Sequence, residues 1–250
     1  MTDDRCEILR SLHVPGRPLL LPNAWDAASA RAVVAAGFPV VATTSSGVAN
    51  ALGYEDHQRA PRDEMLAAAA RIARAVDVPV TVDAEAGYGL EPAELVEELQ
   101  RVGAAGSNLE DTDHDAGALR DPDDQAAWLR EVREAADASG YGLVVNARVD
   151  VFLSAAADVP QPELVPDALT RARAYLEAGA DCVYPIALWD AGALRAFVEG
   201  AGGPVNALAF PKAPPVLELA ALGVARVSWG GLLHRAAAEH FAGILDSIPR

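Results

Sequence analysis

An apolar run at residues 78–82 stops at two acids, Asp83 and Glu85, followed by Ala86-Gly87-Tyr88-Gly89. The run reads as a buried strand. Acids at i and i+2 of a strand point to one face. Like charges side by side repel, and burial near a strand end adds a desolvation cost. A divalent cation offsets both, and Mg2+ prefers oxygen ligands. Gly87 and Gly89 let backbone come close to whatever sits above the acids. The bland alternative is a solvated strand end with an ordinary glycine turn.

Other reactive residue types fall just after β-rich runs in the same way. They are Asn23, Asp26, Ser46, Glu110, Asp111, Asn146, Arg148 and Asn206. Asp83, Glu85 and Glu110 are the expected Mg2+ ligands, some of them through water. Arg148 offers a planar fork that can hold a carboxylate or phosphonate, or can pair structurally with Asp150. Ser46 and the Gly47 amide are candidates for hydrogen bonds to a developing enolate oxygen. Trp25 either packs the mouth of the site or lines it, and Asn206 is a further substrate-binding candidate. Cys6 is expected at the surface and Cys182 in the core. His57 and His114 are expected to be exposed loop residues.

These positions share one end only if the strands run parallel, and the rest of the chain supplies that pattern. Candidate strands lie at residues 18–21, 39–42, 78–82, 106–109, 143–145, 182–184, 204–208 and 225–227. Alanine-rich helical stretches alternate with them at 27–36, 62–76, 92–102, 122–138, 167–178, 191–198 and 215–221, and 232–248 closes the chain. The stretches 43–47 and 160–166 read as loops. Alternation of this kind over 250 residues without a linker predicts one (β/α)8 TIM barrel spanning residues 1–250. A doubly wound open sheet needs a glycine-rich phosphate loop after its first strand, and Pro22-Asn23-Ala24-Trp25-Asp26 is not one. In a barrel the strand C-termini share one rim, where such enzymes carry their sites.

Composition narrows the partners. The chain is 51% hydrophobic and 22% charged, with a net charge of −16. That balance argues against nucleic acid and against an anionic membrane surface. It leaves room for a small anion, because a local metal or arginine outweighs a distant field. Two cysteines, Cys6 and Cys182, give no metal or disulfide spacing. No signal-like stretch and no membrane-length apolar run is present, so a cytoplasmic protein is expected.

The motifs together resemble the isocitrate lyase/phosphoenolpyruvate mutase superfamily. They are Asn23-Ala24-Trp25-Asp26, Ser46-Gly47-Val48, Gly53-Tyr54-Glu55-Asp56, Asp83-Ala84-Glu85-Ala86-Gly87-Tyr88-Gly89, Asn108-Leu109-Glu110-Asp111 and Asn146-Ala147-Arg148-Val149-Asp150. The resemblance implies a Mg2+-dependent barrel acting on α-keto or α-hydroxy acids. It places Asp83, Glu85 and Glu110 at the metal, Asp56 as a catalytic loop acid nearby, Ser46 and Gly47 on a substrate oxygen, and Arg148 on the substrate anion. It also implies a homo-oligomer, dimer or tetramer, in which the last helix packs on or swaps with a neighbour. One loop departs from the family. Isocitrate and methylisocitrate lyases carry Lys-Lys-Cys-Gly after the fourth strand, where this chain has Thr-Asp-His-Asp-Ala-Gly at 112–117. The mutase lysine and asparagine are missing there too, and Tyr184-Pro185-Ile186 follows the sixth strand. The expectation is a Mg2+-dependent lyase that cleaves or decarboxylates a small 2-oxo or 2-hydroxy acid through an enolate. The alternatives are a P–C bond enzyme (phosphoenolpyruvate mutase or phosphonopyruvate hydrolase) and a ligand-binding relative without turnover.

Overall fold

The barrel strands are short, rich in Val, Ala and Leu, and almost wholly buried. In a computed structural model describing residues 2–249, they are β1 (Leu19–Leu21), β2 (Val41–Thr43), β3 (Val80–Asp83), β4 (Gly106–Glu110), β5 (Val144–Val149), β6 (Cys182–Pro185), β7 (Asn206–Leu208) and β8 (Arg226–Ser228). Every pairing between them is parallel. β1 pairs with β8, and β8 with β7. Pro22 has no N–H to donate, and it interrupts the first strand there. The chain resumes at Asn23–Ala24, which pairs with β2. From β2 the ladder runs through β3, β4 and β5 to β6. A bridge from Val183 to Val205 joins β6 to the start of β7 and completes the circuit. The fold is the expected α/β barrel with a parallel sheet.

Helices cover the outside. In chain order they are α1 (Thr2–Ser11), α2 (Ala27–Ala35), α3 (Ser45–Leu52), α4 (Arg62–Arg74), α5 (Pro92–Val102), α6 (Pro122–Ala138), α7 (Val151–Ser154), α8 (Gln161–Glu177), α9 (Ala191–Ala201), α10 (Val216–Ala221) and α11 (Leu232–Asp246). α5 shows why they form. Leu95, Val96, Leu99 and Val102 recur at helical spacing and are all buried, and Pro92 sits in the first turn, where its missing N–H costs nothing.

Four elements depart from expectation. The polar N-terminus folds as α1, which packs on the barrel and buries Leu9 and Cys6 completely. Cys6 is therefore core, not surface. Gly106 is what lets this helix in, because an added Cβ would lie 2.7 Å from the Val144 carbonyl oxygen and 2.8 Å from Leu9 Cδ2. Residues 45–47 are the first turn of α3, not a loop. The proline stretch opens α8, because Pro162 falls in a first turn and the helix absorbs Pro166. β5 runs on through Val149, so Asn146 and Arg148 project from the strand itself. The loop that departs from the family closes as a short hairpin, Thr112–Asp113 against Ala118–Leu119.

Candidate active site

A cavity of about 330 Å³ opens among the strand C-termini. Asp83 is the last residue of β3. Its Oδ2 accepts from the backbone N–H of Ser45 at 2.9 Å, at the first residue of α3. A helix N-terminus favours that negative charge. Glu85 lies beyond the strand, in a turn with φ 51°. Asp83 and Glu85 therefore do not share a strand face. The turn, not the strand pleat, brings Glu85 to the cavity. Its Oε1 accepts from the Gln58 N–H at 2.7 Å. His57 and Gln58 have φ of 67° and 56°, also left-handed. Such conformations are costly for residues with a Cβ and persist where neighbours over-determine them. Two strained loops thus meet through one hydrogen bond at the cavity wall.

Glu110, at the end of β4, is buried and doubly engaged. Arg148 Nη2 approaches its Oε2 at 2.5 Å, and His114 Nε2 lies 2.5 Å from its Oε1. Arg148 is also gripped by Asp150, Nε to Oδ1 at 2.6 Å and Nη2 to Oδ2 at 2.8 Å. The structural pairing with Asp150 is real, and Nη1 is the part of the fork these pairings leave. Asp111 faces away from the cavity. It accepts from the Asp150 N–H, the Tyr175 hydroxyl and Arg171 Nη1. That buried set pins the end of β5 in place.

Burial raises Asp83 above the usual carboxylate range, with Arg148 opposing the shift. Burial, then repulsion from Asp83, pushes Glu85 up to about 8. Burial likewise raises Glu110, against Arg148 and His114. Burial also works against the charge on Arg148, but Asp150 and Glu110 outweigh it and lift the group well above its ordinary value. The cavity is thus a cluster of carboxylates short of positive charge. Among the described residues, two of its buried oxygens, Oδ1 of Asp83 and Oδ1 of Asp56, have no hydrogen-bond partner. An all-oxygen set with orphaned acceptors fits a hard cation such as Mg2+, which keeps several of its waters. Direct ligation by three acids together is not what the geometry offers. Among the described residues, no three His, Cys, Asp or Glu groups are placed to hold one ion.

The other sequence candidates divide. Ser46 and Asp56 line the cavity. Gly47 does not; it is pressed between Thr44, Trp25 and His234. Trp25 packs edge-on against His234, with ring centroids 5.0 Å apart. Asn206 is fully buried beneath the wall and pairs with Ser228 at 3.3 Å. Two lining residues, Ser45 and Arg235, had no signal of their own in the sequence, whereas Asn108 stood in the motif before Glu110 and Tyr184 just after the sixth strand. Arg235 comes from α11, far along the chain, and only closure of the barrel carries it to the mouth. His57 also lines the cavity, and its ring lies 5.6 Å from that of His114.

Comparison with known proteins agrees with this fold. A family model described as phosphoenolpyruvate phosphomutase matches residues 9–248. The chain is 32% identical to a phosphoenolpyruvate phosphomutase of Streptomyces hygroscopicus, over 96% of this chain and 77% of that one. It is 30% identical to a 2-methylisocitrate lyase of Aeropyrum pernix, over 83% of this chain and 67% of that one. A crystal structure from Burkholderia cenocepacia J2315, provisionally named a phosphonomutase, superposes with TM-score 0.93 at 41% identity, covering 98% and 99% of the two chains. The chain therefore belongs to the isocitrate lyase/phosphoenolpyruvate mutase superfamily of lyases and mutases.

Proposed function

We propose that this protein is a Mg2+-dependent lyase that breaks a carbon–carbon bond, by cleavage or decarboxylation, in a small 2-oxo or 2-hydroxy acid. The observation that carries this reading is the pair of orphaned carboxylate oxygens on Asp83 and Asp56, in a small cavity that also holds Glu85, Glu110 and Arg148. Asp83, Asp56, Glu85 and Glu110 would hold the cation, in part through water. Once bound, the cation would draw electron density from the carboxylate and the neighbouring oxygen of the acid.

The chain's own groups do the rest. Arg148 keeps a fixed positive charge at the cavity, because Asp150 and Glu110 leave its guanidinium no freedom to turn away. Arg235 is exposed at the mouth, outside every ion pair of the described residues, and suits a second acidic group. Ser46 Oγ lies 3.1 Å from Thr44 Oγ1 and can donate to the oxygen that gains charge as the bond breaks. Burial raises the Tyr184 phenol above its ordinary value, so it keeps its proton at neutral pH. It can return that proton to the carbon left by cleavage. Decarboxylation-like cleavage of a 2-oxo acid needs no strong base at its start, in keeping with a family loop that here lacks cysteine and lysine. Similarity to the phosphomutase supports a second reading, rearrangement or hydrolysis of a P–C bond at the same site.

The test is a panel of C4 to C7 2-hydroxy and 2-oxo acids, with phosphonopyruvate alongside, assayed with Mg2+ for release of a keto acid. Turnover of a panel member is expected, and Asp83→Asn should lower kcat/KM at least ~100-fold, as loss of several kcal/mol of charge stabilisation implies. Turnover of phosphonopyruvate alone would establish the second reading. No turnover and no calorimetric Mg2+ uptake would sink both.

A further inference from the structure

Arg226 projects from β8 into the barrel and is 1% exposed. A buried arginine normally meets a carboxylate, because an unpaired charge in the interior is expensive. Arg226 meets none. Its Nε and Nη1 have no partner among the described residues. Among the described residues, the one hydrogen bond of its guanidinium runs across the barrel, from Nη2 to Oδ1 of Asn108 on β4 at 3.0 Å. The same Oδ1 accepts from Asn146 Nδ2 on the neighbouring strand at 2.7 Å. Asn108 lines the cavity, in register with Asp83.

Two asparagines alone can bond in either sense, since each amide carries a donor and an acceptor. Reversing both keeps their mutual hydrogen bond. Arg226 breaks the tie, because a guanidinium only donates. Reversal would set the Asn108 NH2 group against Arg226 Nη2, donor against donor. Asn108 must therefore turn its oxygen inward and its NH2 toward the cavity, where Nδ2 donates to no described residue.

We propose that Asn108 is a substrate-binding residue whose amide N–H recognises a carboxylate or oxo oxygen of the acid, and that Arg226 is the positioning residue that sets its direction. This rests on the cavity being an acid-binding site, as argued above. Arg226 then serves the site without touching the ligand, and its buried charge has a use that packing alone does not supply.

Oxalate, a small planar diacid, is the probe. Full-length protein is titrated with oxalate at saturating Mg2+ by calorimetry, and each variant is first melted to confirm that it folds. Asn108→Asp keeps the acceptor for Arg226 and Asn146 but removes the donor. It should weaken oxalate at least tenfold. Arg226→Met should weaken it in the same direction, and Arg226→Lys, which can still donate, should recover most of the loss. The double variant Asn108→Asp with Arg226→Met should bind no worse than Asn108→Asp alone, because the arginine acts only through that amide. Unchanged oxalate affinity in Asn108→Asp overturns the inference while the reading of the site stands. Unchanged affinity in a folded Arg226→Met removes the positioning role. Should Arg226→Met fail to fold, Asn108→Asp and Arg226→Lys decide: a Lys variant that folds but binds no better than Asn108→Asp counts against the inference. Absence of oxalate uptake by the wild-type protein overturns the site and the inference together.

Discussion

At Gly47 two elements meet with no room for a side chain. An added Cβ would lie 2.7 Å from Thr44 Cγ2, 3.1 Å from Trp25 Cβ and 3.3 Å from His234 Cβ. The residue type is explained by packing between α3, Trp25 and the last helix, whatever the backbone N–H does. Gly47→Ala is expected to lower stability by about 1–3 kcal/mol, the usual cost of overpacking, measured by chemical denaturation. Oxalate affinity should fall by less than twofold, and a larger loss would return Gly47 to the ligand. Asp111 shows the same lesson with charge. It stands beside Glu110 in the sequence, one residue past the strand end, yet Glu110 meets the cavity and Asp111 the Tyr175–Arg171 pair.

Among the elements, α1 seals the barrel on the side away from the cavity. Arg10 Nε bonds Asp181 Oδ1 at 2.7 Å, and Arg10 Nη2 donates to the Gly142 carbonyl at 3.0 Å. His13, just after α1, is buried with Nδ1 2.8 Å from the Leu9 carbonyl. Burial, then the Arg226 charge, lowers this imidazole from 6.5 to about 4. Between those values the unfolded chain binds more protons than the folded one. The contribution is therefore fully present above about pH 6.5 and is lost as pH falls toward 4, on the order of 3 kcal/mol. His13→Asn can keep the bond to Leu9 without titrating. Melting curves from pH 7 to 4.5 should show the wild type losing more stability than this variant; parallel losses would contradict the assignment. Cys182, by contrast, stays inert, because burial pushes its thiol up to about 12.

Across the whole molecule, α11 is the element left over. None of its residues is buried. Phe241, Ile244 and Leu245 are 61%, 48% and 46% exposed, and Ile248, just beyond the helix, is 54% exposed. A groove of about 960 Å³ separates the start of this helix from residues 209–216, with Phe210, Trp189 and Trp229 in its walls. Apolar surface of this kind marks an interaction site. We propose that the chain is a homo-oligomer, dimer or tetramer, joined through α11. Phe241→Asp with Ile244→Asp should shift sedimentation to the monomer, and an unchanged sedimentation profile would rule α11 out as the joint. Among the described residues, no helix is long and apolar enough to cross a membrane.

Local pattern was enough for the barrel. Strand–helix alternation, apolar runs and helix-stopping glycines act within a few residues of each other, so they can be read along the chain. The chemical inventory was legible too, since Asp83, Glu85, Glu110, Arg148, Ser46 and Asp56 all reach or border one cavity. Tertiary structure decided what each does there. Which fork of Arg148 is spoken for, how a left-handed turn swings Glu85 into the cavity, and why Trp25 and Gly47 stand behind the wall depend on neighbours distant in sequence. Arg226 reaching Asn108 spans 118 positions. No period or motif encodes such a contact, because it exists only once the sheet has closed and side chains from opposite strands share one interior.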